Sequence, residues 1–314
     1  MITPDDERQY VRNRPKRALI TGCTGQDGHY LAQHLTTMGY KVYGGYRRSS
    51  NMTLPDIERV PLEMTEYESI RRAVKSVRPD EIYNLAAQSH VGESFGSPQY
   101  TTDVDYLGVL RLLELLRDTK IRLYQASTSE MFGGGRNLSE ESPFAPRSPY
   151  GVAKLAAHHL CTVYRKGYGV RVSCGILFNH ESPLRGKEFV TRKITWNTAN
   201  HKKFTLANLD SIRDWGHAKD YVRAMQMMLQ YEPDDFVIAT GKAHTIQDFI
   251  NEVKDLGFEP NFEVVEATQR PWDVTELHGD PSKAIEKLGW LPMYNFKALV
   301  KDMMYADANI REAA

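Results

Sequence analysis

"RALITGCTGQDGHYLAQHLTTMG", residues 17–39, decides the fold. It opens as a short apolar strand, closes as a helical pattern ended by Gly39, and joins the two through a glycine turn. Gly22, Gly25 and Gly28 follow the spacing G-x-x-G-x-x-G, a variant of the dinucleotide fingerprint. Glycines there let the backbone turn tightly and approach a pyrophosphate, which rests on the open N–H groups at the helix start. A glycine triplet alone is a weak signal. Strand before and helix after make it a strong one.

Working outward, the same alternation continues. "KVYGGY" reads as a strand, "YESIRRAVKSV" as an amphipathic helix, "EIYNLAA" as a strand and "YLGVLRLLELLRD" as a helix apolar on most faces. "RLYQAST", "YGVAKLAAHHLCTVYRKGYG" and "VRVSCGILF" add a strand, a long helix and a strand. Such alternation predicts an α/β fold with a Rossmann-like doubly wound parallel sheet. Beyond Phe178 the pattern loosens, with Pro183, Pro233, Pro260, Pro271 and Pro281 punctuating shorter elements. The expected organisation is a flexible extension over 1–16 and a nucleotide-binding domain over 17–178 that also carries the catalytic residues. A smaller mixed region over 179–314, mainly substrate-binding, follows, with scope to return elements to the sheet.

Forty basic and forty acidic residues cancel in this chain of 314, so bulk charge argues for neither nucleic acid nor an anionic membrane. An anionic ligand must be met by local basic groups. Cys23, Cys161 and Cys174 are too few for a disulfide scaffold, and no metal site is expected; His158 and His159 lack ligand partners at useful spacing. No apolar run reaches membrane-spanning length, and the expected location is cytoplasmic.

"YRRSS" closes the second strand with Arg47 and Arg48 where an acid would bind a ribose 2′-hydroxyl. Arginines there favour a 2′-phosphate, hence NADP over NAD. "STSE", residues 127–130, places two hydroxyls and Glu130 directly behind a buried strand. In "SPYGVAK", Tyr150 and Lys154 lie one helical turn apart, behind a credible N-cap at Ser148 and Pro149 in the first turn. An ammonium near the phenol is expected to lower its pKa toward working pH.

These motifs, with "YNLAAQSHV", "GILFNHESPLRG", "FVTRKIT" and "DSIRDWGHAKDYV", give the chain its resemblance from about Arg17 to Trp290. It resembles the extended short-chain dehydrogenase/reductases, and within them the GDP-mannose 4,6-dehydratase family. The resemblance implies NADP as recycled cofactor and GDP-mannose as substrate. It implies catalytic roles for Thr128, Glu130, Tyr150 and Lys154. Cofactor contacts are implied for Gly22, Thr24, Gly25, Gln26, Asp27, Gly28, Arg47, Arg48, Glu63 and Met64. They continue with Leu85, Ala86, Ala87, Ser89, Tyr100, Lys154, His180 and Arg185. Substrate contacts are implied for Ser89, Asn179, Glu181, Lys193, Arg213, Arg270 and Asp273. A homodimer or homotetramer is implied, through the helices carrying "VLRLLELL" and "KLAAHHL".

Three departures from the family pattern stand out. The segment after "RRSSN" is short, Glu63-Met64 replaces an Asp-Leu pair near the adenine, and "RPWD" brings Trp272 and Asp273. Dehydration of another GDP-sugar such as a GDP-heptose is the nearest alternative. A nucleotide-sugar reductase or epimerase would not need Glu130, and a non-catalytic NADP-binding protein would not need the full proton-transfer set.

Overall fold

The strand read from residue 17 is β1 (Arg17–Thr21), whose side chains split cleanly between two layers. Leu19 enters one hydrophobic cluster, Ala18 and Ile20 another, and all three are fully buried. Burying a leucine or isoleucine stabilises by roughly 1.5–3 kcal/mol, so this one strand anchors both faces of the sheet. The computed structural model describes residues 14–47, 57–265 and 272–310. Arg48, Arg270, residues 1–13 of the expected extension and most of the short segment after Arg48 lie outside the described residues.

β1 neighbours β2 (Lys41–Tyr46) and β4 (Glu81–Asn84). Beyond β2 lies β3 (Glu58–Pro61); beyond β4 come β5 (Arg122–Thr128) and β7 (Val172–Leu177), with β6 (Gly135–Leu138) between them in sequence. The far edge is β11 (Asp235–Ile238), a strand that returns to the large sheet from the loosely patterned second half. The seven strands run in the order β3-β2-β1-β4-β5-β7-β11, every pair parallel. This order reverses direction between β1 and β4, and ligands of such sheets bind in the crevice beyond the strands' carboxyl ends there.

Helices cover both faces. α1 (Gln26–Thr37) lies on one side, and α2 (Tyr67–Val77), α5 (Gly108–Leu116) and α6 (Pro149–Tyr168) lie on the other. Ahead of α5 come the short α3 (Val91–Gly96) and α4 (Pro98–Thr102), then a π-helical turn over Asp103–Leu107. Ser148 does cap α6, accepting the Gly151 N–H at 3.0 Å, and Pro149 is its first residue. The helix ends at Gly169 in a left-handed conformation (φ 69°).

The second region is built on β8 (Asn179–Glu181), β9 (Phe204–Leu206), β10 (Ile212–His217), β12 (Ala243–Thr245), β13 (Phe262–Val264) and β14 (Glu276–Gly279). A mixed sheet runs β12-β10-β14-β6, with β8 also on β10, while β9 pairs with β13. Its helices are α7 (Val190–Ala199), α8 (Ala218–Gln230), α9 (Ile246–Asp255), α10 (Ser282–Leu288) and α11 (Phe296–Asp307). α8 and α10 pack on the large sheet, whereas α7, α9 and α11 enclose a core around Trp215, Phe249, Val300 and Met303. Among the described residues, no helix is long and apolar enough to cross a membrane.

Candidate active site

The glycine turn is shaped for close approach. Gly22 has φ 67°, and a Cβ there would sit 2.9 Å from the Ala86 backbone. A Cβ at Gly28 would sit 2.5 Å from the Cys23 Cα, so α1 can approach β1 only with glycine at that position. Gly25 is the N-cap of α1 and makes no side-chain cap, which leaves the first N–H groups of the helix open to an anion. This cradle fits the pyrophosphate of a dinucleotide.

A cavity of about 580 Å³ runs from this turn past the carboxyl ends of β4, β5 and β7 into the second region. Thr128, Glu130, Tyr150 and Lys154, from β5, the turn after it and α6, all line it. So do Gly22, Gly25, Gln26, Asp27, Gly28, Leu85, Ala87 and Ser89 on the turn and the loop after β4. Asn179, His180, Glu181, Arg185, Lys193, Arg213 and Asp273 close the remaining wall. Glu130 is therefore a cavity carboxylate and not a surface-loop charge.

Six other residues lie off this wall. Thr24 lies within the glycine turn, between Gly22 and Gly25, and Ala86 backs directly against Gly22. Arg47 and Tyr100, distant in sequence, meet through an Arg47 Nη1 to Tyr100 hydroxyl hydrogen bond. Glu63 accepts the Thr65 N–H at 3.4 Å, and Met64 is buried in the core under Gly108.

The electrostatics differ from the sequence expectation in one respect. Lys154 donates to the Ala126 carbonyl at 2.6 Å, and burial lowers its pKa against the opposing charge of Asp105. Tyr150 is not lowered. Burial, followed by the charge of Asp105, pushes its phenol up; a hydrogen bond with Thr128 works against this, and Glu130 adds to the rise. Burial of the phenol is the leading cause of the reversal, and the Lys154 ammonium is directed to the β5 backbone.

Asp105 carried no sequence motif. It lies in the π-helical turn with its side chain buried, Oδ1 accepting the Gln88 N–H at 2.8 Å and Oδ2 with no hydrogen-bond partner among the described residues. Burial raises its carboxyl to about 6, although Lys154 lowers it. An acid inside "VDYLGVLRLL" was the available signal, and a π-turn beside a functional site is a recurrent arrangement. Asn208, Ile246 and Val265 also line the cavity and were equally invisible, because separate elements of the second region bring them together, whereas Ser211 and Trp215 beside them lie in "DSIRDWGHAKDYV" without having been singled out.

His158, set aside on spacing, sits with Cys174 and Asp235 so that one ligand atom of each lies within 4.8 Å of the others. Its Nδ1 hydrogen-bonds Ser127 Oγ at 3.0 Å, while Arg165 pairs with Asp235. The guanidinium supplies the positive charge this cluster requires. Trp272 is 61% exposed, with the Arg147 guanidinium 5.3 Å from its ring centroid, so the bulky indole stands outside the cavity and only Asp273 faces it.

A dinucleotide cradle, a Tyr-x-x-x-Lys helix and a third acid/base group on one parallel sheet define an extended short-chain dehydrogenase/reductase. A family model described as GDP-mannose 4,6 dehydratase matches residues 19–303, and the chain belongs to that family. A GDP-mannose 4,6-dehydratase from Yersinia enterocolitica is 45% identical over 348 aligned positions, covering 93% of this chain and 94% of the relative. That alignment is longer than the chain, so the relative carries inserted segments with no counterpart here. GDP-mannose 4,6 dehydratase 2 of Arabidopsis thaliana is 45% identical, covering 94% of this chain and 87% of its own length. Among solved structures, UDP-glucose 4-epimerase from Thermus thermophilus, in complex with NAD, aligns with a TM-score of 0.86 at 24% identity. The match covers 93% of this chain and 98% of the epimerase, a likeness of fold.

Proposed function

We propose that the chain converts GDP-D-mannose to GDP-4-keto-6-deoxy-D-mannose and water, with NADP as recycled cofactor. The observation that carries this reading is Glu130 on the cavity wall with Thr128, Tyr150 and Lys154, in a chain 45% identical to named GDP-mannose dehydratases. Elimination across C5–C6 of a hexose is slow because the C5 proton is not acidic; a ketone at C4 makes it so. When bound, the nicotinamide supplies the acceptor for the C4 hydride, the hydride returned to C6, and in its oxidised form a positive charge that favours the phenolate.

The chain's own residues move the protons. Tyr150 takes the C4 hydroxyl proton, and Thr128, hydrogen-bonded to Tyr150, holds the same oxygen. Glu130 removes the C5 proton and delivers it to the departing C6 hydroxyl; once hydride has returned to C6, C5 regains a proton, and the one that Tyr150 took from the C4 hydroxyl closes the balance. Lys154 fixes positive charge beside β5. Arg185, Lys193 and Arg213 bring basic groups to the cavity for a diphosphate, although Arg213 also donates to the Val274 carbonyl at 2.6 Å. Arg47 and Tyr100 are assigned to the 2′-phosphate of NADP. An assembly through α5 and α6 fits the same reading, with Val152 and Val163 exposed on α6; sedimentation at micromolar concentration tests it.

The decisive experiment mixes purified protein, NADP⁺ and GDP-mannose and follows the sugar nucleotide by mass spectrometry. Loss of one water, abolished in Glu130→Gln, is the expected result. An unchanged mass with both ligands bound overturns the choice of substrate.

A further inference from the structure

The turn that opens α1 and the strand β8 are joined by side chains reaching across the top of the sheet. His180 donates from Nε2 to Asp27 Oδ2 at 2.8 Å and from Nδ1 to the Phe178 carbonyl at 2.7 Å. A ring with an acceptor at both nitrogens is an imidazolium, so Asp27 and His180 form a charged pair. Gln26 Nε2 donates to the His180 carbonyl at 2.9 Å, and Gln26 Oε1 accepts from Ser182 Oγ at 2.7 Å. The imidazole also stacks on Tyr221, ring centroids 4.4 Å apart, which fixes its plane. Gln26 and Ser182 are buried, so water does not compete for their bonds.

Each side of this junction carries a different ligand surface. The α1 side presents the open helix N–H groups of the glycine turn, while β8 presents Asn179 and Glu181 to the cavity. We infer that Gln26, Asp27, His180 and Ser182 form a latch that positions the cofactor turn and the sugar-nucleotide strand against one another, so that each site is built only when the other is held. This rests on the functional reading above. The four act as positioning residues for the substrate side, through the hydrogen bonds they make to one another.

Isothermal titration of the full chain with NADP⁺, and separately of its Tyr150→Phe form, loaded with NADP⁺ so that no turnover occurs, with GDP-mannose, tests the latch. Asp27→Asn is expected to weaken both ligands by about tenfold, the scale of one charge-assisted hydrogen bond, and Ser182→Ala by about three- to tenfold, the scale of a neutral one. The double variant is expected to lose less than the product of the two single losses, because both cut one structure. A change confined to NADP⁺ overturns the latch, and so does a lowered melting temperature with both affinities intact. If Asp27→Asn fails to fold, Ser182→Ala alone decides through the same two affinities. Wild-type protein that binds neither ligand overturns the functional reading and the latch together.

Discussion

Asp105 of the π-helical turn and Lys154 of α6 are both buried, and each is the leading charge acting on the other's ionisation. Burial raises Asp105 from 3.8 to about 6, with Lys154 opposing, so the folded state binds this proton more tightly than the unfolded chain. Its contribution therefore favours the fold at low pH and is lost as pH rises from about 4 through about 6. Asp105→Asn is expected to be more stable than wild type at pH 7.5, by about 1–3 kcal/mol, with the gap closing toward pH 4. Paired urea melts at several pH values check this; a variant less stable than wild type at neutral pH would contradict it. The same change should move the alkaline rise of the oxidation step to lower pH, since it removes a charge that raises the Tyr150 phenol.

Glu130→Gln separates oxidation from elimination. The amide keeps the shape of the side chain and cannot take the C5 proton, whereas Tyr150 and Thr128 are untouched. Water loss is expected to fall by about 10²–10⁴-fold. Reduced nicotinamide should then accumulate on the protein, visible in its near-ultraviolet absorbance. Failure of both steps together would show that Glu130 is needed before elimination.

Tyr150→Phe removes the hydroxyl that exchanges the C4 proton, and the accumulation of reduced cofactor should disappear with it. Single-turnover absorbance is expected to show oxidation slowed by about 10²–10⁴-fold, with the cofactor dissociation constant little changed. Burial holds this phenol high, so wild-type oxidation should speed up as pH rises across the alkaline range. A flat profile would remove Tyr150 from the base role.

Much of this site is legible in the sequence because its signals are local. The glycine turn, the carboxylate at 130 and the capped Tyr-Lys helix each need only neighbouring residues, and each is found on the element expected. What escaped depends on contacts between distant segments. A return of elements to the large sheet is expected from the sequence, but that β11 is the strand and β7 its partner is announced by no periodicity in "DFVI". Asp105 enters the site through a π-helical turn, and the ammonium of Lys154 finds a backbone carbonyl that bears no sequence signature. Trp272, which the sequence marks only as a departure beside Asp273, stands outside the cavity wall with its ring against Arg147.

Arg47 offers the test of cofactor choice. Its guanidinium is tied to the Tyr100 hydroxyl at the surface, which pre-organises a fork of donors for a terminal phosphate. A hydrogen bond to a charged group contributes about 1.5–3 kcal/mol, so Arg47→Ala should weaken NADP⁺ by roughly 10–100-fold. NAD⁺ lacks the 2′-phosphate, and its affinity should hold within about threefold on the same scale. Tyr100→Phe should give a smaller loss in the same direction, because the guanidinium remains but is less well held. Titration of both dinucleotides against the three proteins reads the difference directly, and equal losses for NAD⁺ and NADP⁺ would place Arg47 on the shared part of the cofactor instead.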